Sequence, residues 1–442
     1  MGIIIAYIKQ YLFSKKLVEI CKISENDFTR NRKLSFVKLV GFLLNFTSKS
    51  LQLDLYSFAD FLDEDSLTKQ ALSKARRKLS AMVFCLLNER LIIATYSDNI
   101  VKTFKGLRVL AIDGSTMRLP KNTELYDHYG KDLGETSVPL AQASIIYDAL
   151  NQITLHAALD KYKVSEKSLA IKHITALDKL NNEIKNTNFG QDVILFDRGY
   201  PSKFLMFFLT KKKKHFLMRV SSHFLSEVNE VVASGVRDKI ITISAFKKGK
   251  SVNDDFKKYL PKLNENAELQ IRAVVFDLCN GQKEIVVTSL IDQEKFSYDD
   301  IYQLYGLRWN IEEGYKFYKS IAEIENFSGK SKQTIEQDFF ATIFTCNICS
   351  LLMQEAQDDL EEEHKVKNEA KNLKYEYKIN RNILIGTVKN EILGILLSNR
   401  DLDEYCETLK SRIKKNLVPI RPNRSFPRIF RRIKNTICRR AF

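Results

Sequence analysis

Two short apolar runs constrain this chain more than any other feature: Leu107 to Ile112, which meets Asp113-Gly114-Ser115, and Val193 to Phe196, which meets Asp197-Arg198-Gly199-Tyr200-Pro201. Compact, β-branched runs bounded by turn-forming residues read as buried strands. Leu140 to Tyr147 and Gln152 to Ala158 read as two more strands, joined by Asp148-Ala149-Leu150-Asn151. A helical pattern covers about Ser165 to Leu180, and Ser202 to Leu209 opens another helix. The order strand, strand, strand, helix, strand, helix predicts a mixed α/β core. Open sheets hold ligands at the carboxyl ends of their strands, where Asp113 and Asp197 both stand. Taken singly, each aspartate reads more readily as a turn cap.

The flanks have a different texture. Residues 1–105 carry apolar positions at helical spacing and predict a helical N-terminal domain, expected as DNA-binding only through the basic face that follows. Within it, Thr68 to Leu79 sets Ala71, Leu72, Ala75 and Leu79 on one side and Lys74, Arg77 and Lys78 elsewhere, a face able to enter a DNA groove or simply to meet solvent. Residues 106–214 and 297–356 are expected to form the two parts of the core. The strand-rich stretch 215–296 between them, with His215 to Val220, Leu269 to Phe276 and Lys283 to Ser289, reads as an inserted β domain. Residues 357–442 read as a helical C-terminal region with a basic tail. Ser297 with Asp300 forms a capping box, and Phe296 against Ile301 a hydrophobic staple, so a well-defined helix is expected to begin there.

Charge is local. The net charge of +16 over 442 residues divides into +12 from Lys410 to Phe442, which holds no acid, and +4 from everything before it. Such an arm meets a polyanion, nucleic acid ahead of an anionic membrane, or else serves as a solvated tail. No apolar run approaches the length of a membrane span, and the start lacks a basic segment and a cleavage site, so a cytoplasmic protein that engages no membrane is expected. Seven scattered cysteines make no disulfide framework, and Cys346 with Cys349 reads as a buried pair on a helix. There is no G-x-G-x-x-G, Gly329-Lys330-Ser331 has Ile324 where a phosphate loop needs glycine, and the six histidines are isolated. Carboxylates are left to carry the chemistry.

In the helix after Ser297, Tyr305, Arg308, Glu312 and Lys319 fall within an arc of roughly 60° on an ideal α-helix. Leu304, Leu307, Ile311, Tyr315 and Tyr318 occupy the adjacent face, so the polar stripe is expected to border a cleft beside the core. The stripe is about 21 Å long, so only its centre, Glu312, can join the two aspartates. Arg308, Tyr305 and Lys319 would then contact phosphates of a crossing strand. A solvated face with an Arg308–Glu312 pair is the plainer alternative.

Tyr305-x2-Arg308-x3-Glu312-x6-Lys319 resembles the YREK signature of bacterial insertion-sequence DDE transposases, cut-and-paste enzymes with a ribonuclease-H-like core. Ile112-Asp113-Gly114-Ser115 and Phe196-Asp197-Arg198-Gly199-Tyr200 resemble the settings of that family's first and second acids, and Pro419 to Arg428 resembles its basic ending. The resemblance implies that Asp113, Asp197 and Glu312 are catalytic and hold two Mg²⁺ ions, about 3.5 to 4 Å apart, with Mn²⁺ as a substitute. It implies further that Arg308 and Lys319 align phosphate, with Tyr305 and Arg198 also at the DNA. The expected partners are double-stranded transposon ends and target DNA, held by a homodimer in the bacterial cytoplasm at the nucleoid. A structure-selective nuclease on the same core and a non-cutting DNA-binding derivative are the alternatives.

Overall fold

The computed structural model describes residues 1–442 except 31, 46–49, 98–100, 133–137, 186–188, 247–253, 265, 279–280, 369–374, 399 and 422–442. At its centre is one eight-stranded sheet built from β1 (Leu107–Arg118), β2 (Leu140–Asp148), β3 (Ile153–Lys161), β4 (Gln191–Phe196), β5 (His215–Val220), β6 (Asp238–Ser244), β7 (Glu268–Asp277) and β8 (Lys283–Thr288), in the order β3-β2-β1-β4-β5-β8-β7-β6. β1 to β3 pair antiparallel, β1, β4 and β5 pair parallel, and β5 to β8 pair antiparallel again. A short separate ribbon joins β9 (Glu376–Ile379) to β10 (Leu417–Ile420).

The strand-rich 215–296 stretch, expected as an inserted β domain, continues the core sheet. His215 to Val220 is its fifth strand, parallel to β4, and Val220 pairs with Ile285 of β8, so hydrogen bonding runs without interruption into the remaining strands. An unpaired edge on β5 would expose a row of backbone donors and acceptors, which β8 satisfies.

Six helices precede the sheet: Gly2–Leu12, Lys15–Cys21, Phe36–Leu44, Leu51–Leu62, Lys69–Arg76 and Met82–Ser97. Ser14, Ser35, Ser50 and Thr68 cap four of them by accepting from the backbone N–H groups of Leu17, Lys38, Leu53 and Ala71. The first helix packs on Met82–Ser97 and on the C-terminal helix Leu402–Lys414, and Phe36–Leu44 packs on Arg381–Leu397, so the two ends of the chain form one helical layer. The 37-residue helix Lys332–Asn368 runs through it. Its most apolar window is long enough to cross a bilayer but 72% of it is buried inside the protein, as a core helix requires. Cys346 and Cys349 lie in that core as free thiols.

The helix after Ser297 begins as expected, with the capping box to Asp300 formed. It is not continuous. Tyr298–Gly306 gives way at Leu307 and Arg308 to Trp309–Lys316, and Phe317–Ile321 is wound as a π-helix. The straight-helix arc from Tyr305 to Lys319 therefore does not apply, and each of the four polar residues has to be placed individually.

Candidate active site

β1 does not stop at Asp113. It continues against β2 through Gly114↔Ser144 to Arg118↔Leu140, while its other partner, β4, ends at Phe196 opposite Ile112. From Asp113 onward one edge of β1 has no neighbouring strand, and a cleft opens. Asp113 and Asp197 stand one residue beyond that last pair, on adjacent strands. Sequence spacing could not show this register; parallel pairing through Ile112 and Phe196 does.

Asp113 is partly buried and accepts from the N–H of Gly114 at 2.8 Å. Desolvation pushes its carboxyl up to about 6; the Gly114 N–H and the charge of Arg308 oppose the rise, and Asp197 and Glu166 add to it. Asp197 buries Oδ1 without a hydrogen-bond partner among the described residues. Its neighbour Arg198 is exposed.

Across the cleft lies the helix Trp309–Lys316. Tyr315 Oη donates to the Asp113 carbonyl at 3.0 Å, and Gly314 lets this helix approach β2 so closely that a Cβ there would stand 3.2 Å from Tyr147 Cζ. Arg308 is 5% exposed and donates through Nη2 to Glu312 Oε1 at 3.0 Å. Burial lowers the guanidinium pKa, but Tyr305, Asp197 and Glu312 outweigh it, so Arg308 stays firmly cationic. Tyr305 is buried beside it with an unpartnered hydroxyl, and Lys319 Nζ donates to the Thr116 carbonyl at 2.7 Å farther along β1.

Asp113, Asp197 and Glu312 are thus gathered around Arg308, which is close enough to each of the three to act on its charge. Among the described residues no three His, Cys, Asp or Glu side chains gather closely enough to hold a metal ion, so the expected shell of Asp113, Asp197 and Glu312 is not closed. Glu312 is held by Arg308 instead. The two aspartates nevertheless suit a hard divalent cation: their donors are all oxygen, one is a buried orphan, and burial, with the charge of Asp197 adding to it, raises the Asp113 pKa.

The N-terminal basic helix is only partly as expected. Lys74 and Arg77 are exposed, but the helix ends at Arg76 and Lys78 pairs with Asp27 at 3.2 Å. Arg76 is buried, donating to Gln337, Ser328 and Asp338. Most of the basic tail, 422–442, lies outside the described residues. Of its start, Lys410 is buried among Glu355, Asp359 and Glu407, Arg412 pairs with Glu391, and Lys414 with Asp359 and Glu363, so these cations hold the fold together.

Sequence reasoning missed Glu166. It opens the helix Glu166–Glu183 after β3, and its carboxylate lies against Gly114 and Gly199, which flank the two aspartates. An acid in the first turn of a helix ordinarily reads as a complement to the helix dipole, so the sequence carried no signal that singled it out.

The fold and the site define a mixed α/β protein with an acidic cleft at the point where two parallel strands part. Residues 104–348, more than half of the chain, match the family described as transposase DDE domain, and the chain belongs to that family. No curated protein matches it. Among solved structures it is similar to the piggyBac transposase of a cryo-EM synaptic complex with hairpin DNA, at 10% identity and a TM-score of 0.45, over 92% of this chain and 85% of that one.

Proposed function

We propose that this chain is a DNA transposase that binds the terminal inverted repeats of an insertion sequence, cleaves the ends by Mg²⁺-dependent hydrolysis and joins the freed 3′-OH ends to target DNA. The observation that carries the reading is the placement of Asp113 and Asp197 side by side beyond the last β1–β4 pair, facing the Arg308–Glu312 pair. Strands β3-β2-β1-β4-β5, with β2 antiparallel to its neighbours, support a ribonuclease-H-like core around that cleft. The family assignment supports the same chemistry.

Asp113 and Asp197 would hold the divalent cation, Mg²⁺ or Mn²⁺. A cation bound there polarises the scissile phosphate and lowers the pKa of an attacking water. Glu312, held by Arg308 in this structure, would be the third carboxylate for that cation, and Arg308 would meet a phosphate oxygen in a two-point contact that lysine does not offer. Tyr305 packs under Arg308 and steadies it. Lys319 and the exposed Arg198, Lys74 and Arg77 add phosphate contacts along the duplex. A homodimer on paired ends, at the bacterial nucleoid, belongs to the same proposal.

The test is to incubate purified protein with its own element's termini, target DNA and Mg²⁺ and to size the products. Wild type should give cut ends and joined products, whereas Asp197→Asn should bind the ends and leave them intact. Cut ends without joining would favour a nuclease, and unchanged cutting by the variant would remove Asp197 from the site.

A further inference from the structure

Beyond the two aspartates and Glu312, a fourth carboxylate borders the same site from a different element. Glu166 Oε1 lies 3.6 Å from where a Cβ on Gly114 would stand, and Oε2 lies 2.9 Å from the corresponding point on Gly199. Neither glycine has the positive φ that would require it on backbone grounds. At Gly199 the missing side chain leaves space that Glu166 alone occupies; at Gly114 Gln142 Nε2 fills it, 2.6 Å from that point, with Glu166 beyond at contact distance. Among the described residues the Glu166 side chain forms no hydrogen bond or ion pair.

Tyr200 is an independent observation on the same spot. It is 1% exposed, its hydroxyl makes no hydrogen bond within normal geometry among the described residues, and burial raises its pKa, with the charges of Asp113, Glu166 and Asp197 adding to the rise. Ser144 Oγ, the nearest alternative, is engaged by the Asp113 carbonyl and by His173. Three acids close enough to act on one buried hydroxyl leave the site short of positive charge, since Arg308, whose charge reaches Asp113, is already paired with Glu312.

We propose that Glu166 is a further metal-binding carboxylate, acting with Asp113 and Asp197 on the divalent cation. This rests on the transposase reading of the same cleft. Divalent cations of this hardness take six or more oxygen ligands, so two aspartates leave room for another acid. Glu166 lies against Gly199, two residues beyond Asp197, and its carboxylate would supply such a ligand.

The test is Mn²⁺ binding to the full chain without DNA, by isothermal titration calorimetry, for wild type, Asp113→Asn, Asp197→Asn, Glu166→Gln and Gly199→Ala. Glu166→Gln should bind at least tenfold more weakly, and Gly199→Ala should do the same because the added methyl displaces the carboxylate. Thermal unfolding without metal should be unchanged or raised in Glu166→Gln, since an acid is removed from among acids; a purely structural residue would lower it. If Glu166→Gln does not fold, Gly199→Ala and Glu166→Asp decide. Wild-type affinity in the Glu166 and Gly199 variants, with binding abolished in the aspartate variants, overturns the role of Glu166 alone. Wild-type affinity in all of them, or no binding by wild type, overturns the cation site itself.

Discussion

Tyr315 ties the cleft together through one atom. Its hydroxyl donates to the Asp113 carbonyl, and Ser144 Oγ donates to the same oxygen at 3.1 Å. Tyr315→Phe therefore leaves that carbonyl bonded but removes the link between helix and strand. It should cost about 1 kcal/mol in urea unfolding and slow DNA cleavage more than it weakens DNA binding. Because Ser144 spends its proton on Asp113, it accepts from His173 Nε2 at 2.9 Å, which leaves His173 Nδ1 as the acceptor for His156 Nδ1 at 2.8 Å. Desolvation holds His156 down to about 4 and His173 well below its usual range. Both pKa values are lower folded than unfolded, so this stabilisation is complete above about pH 6.5 and is lost as pH falls toward 4, by at most about 1.4 kcal/mol per pH unit for each histidine. Urea unfolding between pH 7 and 5 should show the loss, and His156→Gln should flatten the dependence; equal slopes would remove His156 from it.

The helix Trp309–Lys316 positions Arg308 and Glu312 only because Gly314 lets it lie against Tyr147. Gly314→Ala should lift the helix from β2, cost about 1 to 3 kcal/mol in unfolding, and depress cleavage by moving Glu312 away from the aspartates. A variant as stable and as active as wild type would show that the close approach is incidental. At this scale the sequence was readable wherever the cause was local. Ser297 with Asp300 announced its helix because a capping box is satisfied within four residues, and the runs ending at Ile112 and Phe196 announced β1 and β4 through their apolar composition. The breaks at Leu307 and over Phe317–Ile321 were not readable, because they come from packing a helix onto a sheet whose strands lie more than a hundred residues earlier. The merging of β5 to β8 into the core sheet was hidden for the same reason, since Val220 and Ile285 pair across a long separation. Arg76 looked like one more cation on a basic helix until its partners Gln337 and Asp338 were in place. Glu166 comes within reach of the aspartates only after β3 has folded back beside β2.

Across the whole molecule, the basic C-terminal segment separates into two parts with different work to do. Lys410, Arg412 and Lys414 are paired with acids on the helices Lys332–Asn368, Arg381–Leu397 and Leu402–Lys414, Ile413 is fully buried, and β10 pairs with β9. A chain ending at Leu409 should therefore be less stable as well as poorer at holding DNA, so its failure to bind would not isolate the tail. A chain ending at Arg421 keeps all of these pairings and removes seven Lys and Arg, from Arg424 to Arg440, with no acid among the residues removed. If those residues meet phosphates, the shortened chain should melt at the wild-type temperature and bind element ends more weakly. The slope of log affinity against log salt should become shallower by up to about 6, because every phosphate the protein no longer neutralises keeps about 0.9 of a counterion that binding would have released. The measurement is a salt titration of end-DNA binding between roughly 50 and 200 mM for the full chain and the two truncations. Equal slopes for the full chain and the chain ending at Arg421 would assign the tail to solvent and leave DNA binding to the N-terminal helices and the cleft.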